Sequence, residues 1–269
     1  MAAQLKTATN AVKKILMTRP TFFTVKYSIN PWMDPSIPVN EERAGKQWET
    51  LKSALEKAGA AIEVLEPNVK RAGKQWEILK SALEKAGAAI EVLEPNGAEN
   101  FPDLVFAANA AVVRGKKAYL ANFQYAERKG EKFFFDKWFK ENGYETVGDD
   151  EIAFEGAENG YETVGDDEIA FEGAGDALWA RKNRSKLFCG VGPRTDARAL
   201  DDVAKKLKDD EPFTVFGCRL VDPRFYHIDT CFCPLNEEVA IWYPQAFDQV
   251  SQHNMKNEIE LVPVSEKDA

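Results

Sequence analysis

The run Phe225-Tyr226-His227-Ile228-Asp229-Thr230-Cys231-Phe232-Cys233-Pro234-Leu235 holds one of only two histidines in the chain and sets it beside a carboxylate. Its Phe, Tyr, Ile and Thr content predicts a β-strand, in which alternate residues share a face. His227, Asp229, Cys231 and Cys233 then point one way, and Ile228, Thr230 and Phe232 the other. Three readings fit the polar face. The plainest is a hydrogen-bonded histidine in a half-buried strand, since buried polar groups find partners. A zinc site is the second, because all four side chains are legitimate ligands. Same-face residues lie about 6.6 Å apart, however, so four of them span about 20 Å and cannot meet one ion. The third is general acid/base work by His227, whose unperturbed pKa falls near neutrality, with Asp229 close enough to bind substrate or bias the imidazole. Cys231 lies about 13 Å along such a strand from His227, so a thiol nucleophile must come from elsewhere.

The chain that has to position this stretch is 269 residues long, enough to bury a large core as one big domain or two small ones. A formal net charge of -9 argues against nucleic acid or an anionic membrane as the main partner. Hydrophobic residues at 44% and aromatics at 11% place it among folded globular proteins rather than disordered tails. Residues 1–14 carry Lys6, Lys13 and Lys14 without an apolar core segment, and nowhere do about 18 apolar residues run together, so neither secretion nor a membrane span is signalled. Four cysteines without a CxxC pair read as reduced intracellular thiols. A cytoplasmic soluble protein is expected.

Two tandem copies interrupt the chain. Residues 43–68, RAGKQWETLKSALEKAGAAIEVLEPN, return at 71–96 with Thr50 replaced by Ile78, and 141–157, ENGYETVGDDEIAFEGA, return unchanged at 158–174. Solenoid repeats diverge and come in threes or more, unlike these. The expectation is therefore that each pair competes for one structural slot, with the surplus copy looped out at modest entropic cost.

In order, 14–25 reads as a strand running into the Pro-punctuated loop 28–35, where Asn30 before Pro31 reads as a turn residue. Residues 41–59 read as a helix followed by a strand at 61–65, both repeated at 71–93. Residues 104–113 and 117–122 form a hairpin around Arg114-Gly115-Lys116, and 130–143 a helix whose Phe133, Phe134, Trp138 and Phe139 belong to the core. In Phe171-Glu172-Gly173-Ala174-Gly175-Asp176-Ala177-Leu178-Trp179, two carboxylates occupy a Gly-rich turn between strands and are expected to be exposed. A hairpin at 177–191, a helix at 194–207, a strand at 213–221, a hairpin of 225–234 with 239–243, a helix at 245–255 and a strand at 259–264 complete the chain. Hairpin, helix and strand thus recur about every 55 to 65 residues, which suggests rotationally related ββαβ units.

Four motifs in this order, Ile29-Asn30-Pro31-Trp32-Met33, Pro102-Asp103-Leu104-Val105-Phe106-Ala107-Ala108-Asn109, Phe171-Glu172-Gly173-Ala174-Gly175-Asp176 and His227-Ile228-Asp229-Thr230, resemble the guanidine-modifying superfamily. That superfamily comprises arginine deiminases, dimethylarginine dimethylaminohydrolases, arginine dihydrolases and amidinotransferases. The resemblance covers nearly the whole chain outside the extra copies. It implies an α/β fold, a single five-bladed α/β propeller (pentein) domain of ββαβ modules with the last blade incomplete here. It also implies that His227 is the general acid/base, that Glu172 supports it, and that Asp103 and Asp229 grip the guanidinium. Asn30 and Asn109 join the substrate-binding set, and their combination is most similar to the arginine dihydrolase branch, where deiminase-like proteins more usually show Arg-Asp in place of Ala108-Asn109. Glu172 rather than its copy Glu155 fits the motif, because only Glu172 is followed by Gly-x-Gly-Asp. The chemistry agrees: a planar cation suits paired carboxylates that accept bidentate hydrogen bonds, and a histidine can protonate a departing amine and later activate water.

The implied partner is a small guanidino molecule, L-arginine or a methylated arginine, converted to citrulline or ornithine without metal or cofactor. Family members attack the guanidinium carbon with a cysteine from the last blade, after a Gly-rich turn. No Gly-Gly-x-Cys occurs here, and Cys189 and Cys218 fall in strands with core surroundings. The chain is therefore expected not to turn over arginine, and a missing fifth blade to leave strand edges that favour aggregation. A catalytically silent arginine-binding or regulatory module, an amidinotransferase and a ligand-free propeller fragment stand as alternatives.

Overall fold

The computed structural model describes residues 14–18, 25–36, 70–85, 88–148 and 169–266. The chain divides into two compact units, one of Met1–Lys26 with Asp34–Val105 and one of Tyr27–Met33 with Phe106–Ala269.

In the first unit, β1 (Lys14–Thr18) pairs in parallel with β2 (Ala89–Leu93), from Lys14 opposite Ala89 to Thr18 opposite Leu93. A parallel pair needs a crossover, and α1 (Lys70–Lys85) leads directly into β2. Pro102–Val105 then makes a 3₁₀ turn with Pro102, Asp103 and Leu104 buried.

The second unit holds three modules of one design. In the first, β3 (Ala111–Arg114) and β4 (Lys117–Leu120) form an antiparallel hairpin, α2 (Glu131–Glu141) crosses over, and β5 (Glu145–Val147) pairs in parallel with β4. Gly115, at φ 57°, supplies the left-handed residue that the tight hairpin needs. The second module repeats the plan with β6 (Ala177–Ala180), β7 (Lys186–Val191), α3 (Ala199–Lys206) and β8 (Thr214–Arg219). The third does so with β9 (Phe232–Pro234), β10 (Val239–Trp242), α4 (Gln249–Glu258) and β11 (Glu260–Pro263). Asp248 starts α4 by accepting a hydrogen bond from the Ser251 N–H at 2.7 Å. Each helix buries an apolar stripe, with Phe135 and Phe139 on α2, Val203 on α3 and Met255 on α4. Phe139 thus joins the core as expected. Phe133, Phe134 and Trp138 are only half-buried, and Phe135 takes the central place.

The hairpin–helix–strand order read from the sequence is therefore real, but two expected strands are not. Residues 104–110 form 3₁₀ turns, Pro102–Val105 and Ala107–Ala110, before β3 begins. The unbroken apolar run Leu104 to Ala108 has no period-2 alternation to hold a half-buried strand. Residues 225–231 are likewise not a strand: Ile228–Thr230 is a 3₁₀ turn, and only Phe232–Pro234 is extended in the sheet. Of the expected strand 14–25, Lys14–Thr18 forms β1 and residues 19–24 lie outside the described ones.

The second copy of the longer repeat supplies α1 and β2, while residues 43–68 lie outside the described ones. In the shorter repeat, β5 comes from the first copy, whereas Ile169 to Ala174 come from the second. Glu155 lies outside the described residues.

Candidate active site

His227 is extended at φ -127°, ψ 152° and leads into the Ile228–Thr230 turn. Three local hydrogen bonds close that turn. The Thr230 hydroxyl and N–H both donate to the His227 carbonyl, at 2.6 and 3.3 Å, and the Cys231 N–H donates to Ile228 O at 3.1 Å. Another bond comes from far away in sequence, from the Ile228 N–H to Asp176 Oδ1 at 3.1 Å. Together these turn the chain out of the extended ladder, so the alternating face that would align His227 with Asp229, Cys231 and Cys233 does not exist.

Glu172 and Asp176 flank the short helical turn Gly173–Asp176, and both are buried rather than exposed as the Gly-rich sequence suggested. The glycines serve close approach. A Cβ at Gly173, which sits at φ 59°, would meet the Asn109 backbone, its carbonyl carbon at 2.6 Å. A Cβ at Gly175 would run into the Asn109 amide and come within 3.4 Å of His227 Nδ1. Gly190 on β7 leaves room for Asp176, since a Cβ there would lie 2.8 Å from its Oδ1.

The imidazole is clamped between the two acids. Its Nε2 lies 3.3 Å from Glu172 Oε2, and its Nδ1 lies 3.0 Å from Asp176 Oδ2, at ion-pair distance but out of line for a hydrogen bond. Asn109 Nδ2 approaches Nε2 at 3.4 Å. Behind this contact, Arg128 donates to Asn109 Oδ1 at 3.0 Å and pairs with Glu131 through two bonds of 3.0 and 2.8 Å. Glu172 accepts from Arg194 Nη1 at 2.9 Å and from the Gln124 N–H at 3.2 Å. The other Arg194 nitrogen, Nη2, donates to Ile29 O at 2.9 Å, and the guanidinium lies over the rings of Tyr125 and Tyr226. Thr195 donates to Asp176 Oδ2 at 2.8 Å and accepts from the Glu172 N–H at 3.2 Å.

Burial of His227 works against its charge, but the contacts with Asp176 and Glu172 outweigh it and lift the pKa to about 9. Burial likewise works against the Glu172 carboxylate, yet His227 and Arg194 hold it below the usual range. Asp229 is exposed as a residue, but the protein crowded around its carboxyl pushes it up to about 6; the His227 charge opposes this and the Asp176 charge adds to it. These shifts fix a pH dependence. A histidine raised from 6.5 to about 9 stabilises the fold fully below pH 6.5 and loses that contribution as pH climbs through 9. Denaturant unfolding at pH 6 and pH 9.5 should show the protein less stable at the higher pH by about 3 kcal/mol, the value of such a shift. Equal stability at both would contradict the doubly paired imidazolium.

Of the residues singled out from sequence, His227, Glu172 and Asn109 converge. Asp229 stands one turn beyond His227 and lines a cavity of about 170 Å³ with Thr230, Cys231, Trp242, Tyr243 and Val264. Asn30 spends its side-chain oxygen on its own turn, accepting from the Trp32 N–H at 2.9 Å, as a turn residue should. Its loop reaches the site through Ile29 O on Arg194, and Trp32 Nε1 donates to Arg224 O at 3.1 Å, ahead of His227. Asp103 lies buried in the first unit, in the Pro102–Val105 turn. Sequence reasoning missed Asp176, Arg128, Glu131, Arg194 and Thr195. Asp176 was visible in the motif without a role, Arg128 and Glu131 have helical i, i+3 spacing, and nothing marked Pro193-Arg194-Thr195.

The four thiols are poorly set for nucleophilic work. Burial, with the nearby Cys218 and Asp176 charges, pushes the Cys189 thiol far up, and burial takes Cys218 to about 12. Burial raises Cys231 strongly as well, and its Sγ lies 3.5 Å from Ile228 O and 3.8 Å from His227 O. Cys233 is exposed on β9. Among the described residues no group of three or more His, Cys, Asp or Glu side chains could hold a metal ion, and no helix is long and apolar enough to cross a membrane.

An α/β fold of repeated hairpin–helix–strand modules, with a buried histidine between two acids in this motif order, defines a protein of the guanidine-modifying superfamily. Residues 65–269 match the family described as N,N dimethylarginine dimethylhydrolase, eukaryotic, and the chain belongs to that family. It is 32% identical to the uncharacterized protein ZK1307.1 of Caenorhabditis elegans, over 98% of this chain and 76% of that one. It is 34% identical to the bifunctional arginine dihydrolase/ornithine cyclodeaminase ArgZ of Synechocystis, over 88% of this chain but only 26% of that protein's length. The crystal structure of the N-terminal domain of ArgZ bound to substrate, described as an arginine dihydrolase, superposes with a TM-score of 0.71 at 32% identity. It covers 95% of this chain and 76% of that one.

Proposed function

We propose that this chain carries the guanidinium-binding and proton-handling part of a hydrolase for L-arginine or a methylated arginine, within a single five-bladed propeller domain. The observation that carries the reading is the clamp of Glu172 and Asp176 on the His227 imidazole, with the Asn109 amide at its Nε2. In that role the imidazolium donates its Nε2 proton to the departing amine, and the neutral ring then takes a proton from the attacking water. Asp229 at the cavity edge accepts hydrogen bonds from the guanidinium, and Asn30 and Asn109 orient it. An ArgZ N-terminal domain has been seen covalently bound to a reaction intermediate, which supports covalent chemistry for the relatives.

By itself this polypeptide binds the cation without turning it over, because burial raises the Cys189, Cys218 and Cys231 thiols and Cys233 lies out on β9, six residues past His227. Purified protein should melt at a higher temperature in millimolar L-arginine, since a ligand that binds only the folded state raises stability by mass action. Asp229→Asn should abolish that shift, and no citrulline, ornithine or ammonia should accumulate. Sustained product release lost in His227→Ala would overturn the inactive reading. Absence of any arginine-dependent shift would remove the binding site itself.

A further inference from the structure

The two ring nitrogens of His227 stand in different surroundings. Nε2 faces a donor and an acceptor at once, the Asn109 amide at 3.4 Å and Glu172 Oε2 at 3.3 Å. Arg128, fixed on Glu131, donates to the Asn109 oxygen and so turns its NH₂ toward the ring. A neutral Nε2 can accept from Asn109, and a protonated Nε2 can donate to Glu172, so this edge suits both protonation states. Among the described residues, the polar side chain recorded beside Nδ1 is an acid, Asp176, with Oδ2 at 3.0 Å. Asp176 is itself held by the Thr195 hydroxyl on Oδ2 and the Ile228 N–H on Oδ1, in space that exists because residue 190 has no side chain.

We infer that Asp176 is a positioning residue that keeps the proton on His227 Nδ1, so that the ring exchanges protons only through Nε2. The off-line contact at Nδ1 is no obstacle, because such bonds often align only when substrate is bound. The carboxylate, anchored at two other points, remains the acceptor that selects the tautomer. The charged groups around the ring are Glu172, Asp176 and Asp229 on the acid side and Arg194 and Arg128 on the basic side. The role rests on the reading of His227 as the proton carrier, but it is tested without any ligand.

The chain has two histidines, and the exposed His253 serves as an internal reference. Long-range ¹H–¹⁵N spectra of the whole protein, titrated from pH 6 to 10.5, read tautomer and pKa directly. The wild-type ring should lose its Nε2 proton and keep Nδ1–H. Asp176→Asn, whose amide presents a donor to Nδ1, should move the neutral proton to Nε2 and lower the apparent pKa by at least one unit. Thr195→Val should shift the pKa in the same direction by less. A neutral wild-type ring in the Nε2–H form, or an unchanged tautomer in folded Asp176→Asn, would overturn the assignment. The wild-type spectrum decides even if the variants do not fold. Failure of arginine to bind would leave this result standing.

Discussion

Glu172→Ala should cost about 3–5 kcal/mol of unfolding free energy, among the largest single effects available in the chain, because it leaves a buried guanidinium without its counter-charge. The side chains of Arg194 and Glu172 are 2% and 0% exposed, and their bond is 2.9 Å long. Water cannot reach Arg194 to replace the carboxylate, and the Gln124 N–H loses its acceptor as well. Removing both charges in Glu172→Leu/Arg194→Met should cost much less than the sum of the single changes, since the penalty lies in the orphaned charge rather than the missing pair. Urea unfolding of Glu172→Leu, Arg194→Met and the double variant closes this cycle. Additive losses would show that the two groups do not act as a unit.

Two glycines of the same turn should respond to a methyl group to different degrees. Gly173→Ala should destabilise by about 3 kcal/mol, combining a left-handed backbone angle with a Cβ pressed on the Asn109 backbone, which cannot give. Gly175→Ala presses on the Asn109 side-chain amide, which can swing away, and comes within 3.4 Å of His227 Nδ1, an ordinary contact. That variant should lose less stability but should draw the amide off His227 Nε2 and weaken the arginine-dependent melting shift. Equal stability losses in the two variants would argue against this division between backbone and side chain.

Both predictions turn on contacts that the sequence named only in part. The repeating hairpin, helix and strand could be read from apolar spacing and turn residues, because periodicity and turn chemistry are set by residues close together in the chain. His227 was also legible from its own chemistry, whereas Glu172 and Asn109 were marked only through the resemblance of their motifs to the superfamily. The path of residues 225–231 was not legible. Their composition favours a strand, but a hydrogen bond from Ile228 to Asp176, 52 residues away, takes the chain out of the sheet. The same contact holds Asp176 inside, and Arg194 and the Gln124 N–H hold Glu172, although their glycine-rich surroundings suggested a solvated turn.

By itself, then, the amino-acid order determined the α/β module rhythm, the acidic balance of the chain and the presence of a histidine and carboxylates able to handle a proton. Only the tertiary structure decided which of those groups meet. The Arg194 contacts with Glu172 and with Ile29 O close gaps of 22 and 165 residues, and no local pattern encodes separations of that kind. The physical reason is that a buried charge takes whichever partner the packed chain brings within reach, and that choice is made when the modules dock.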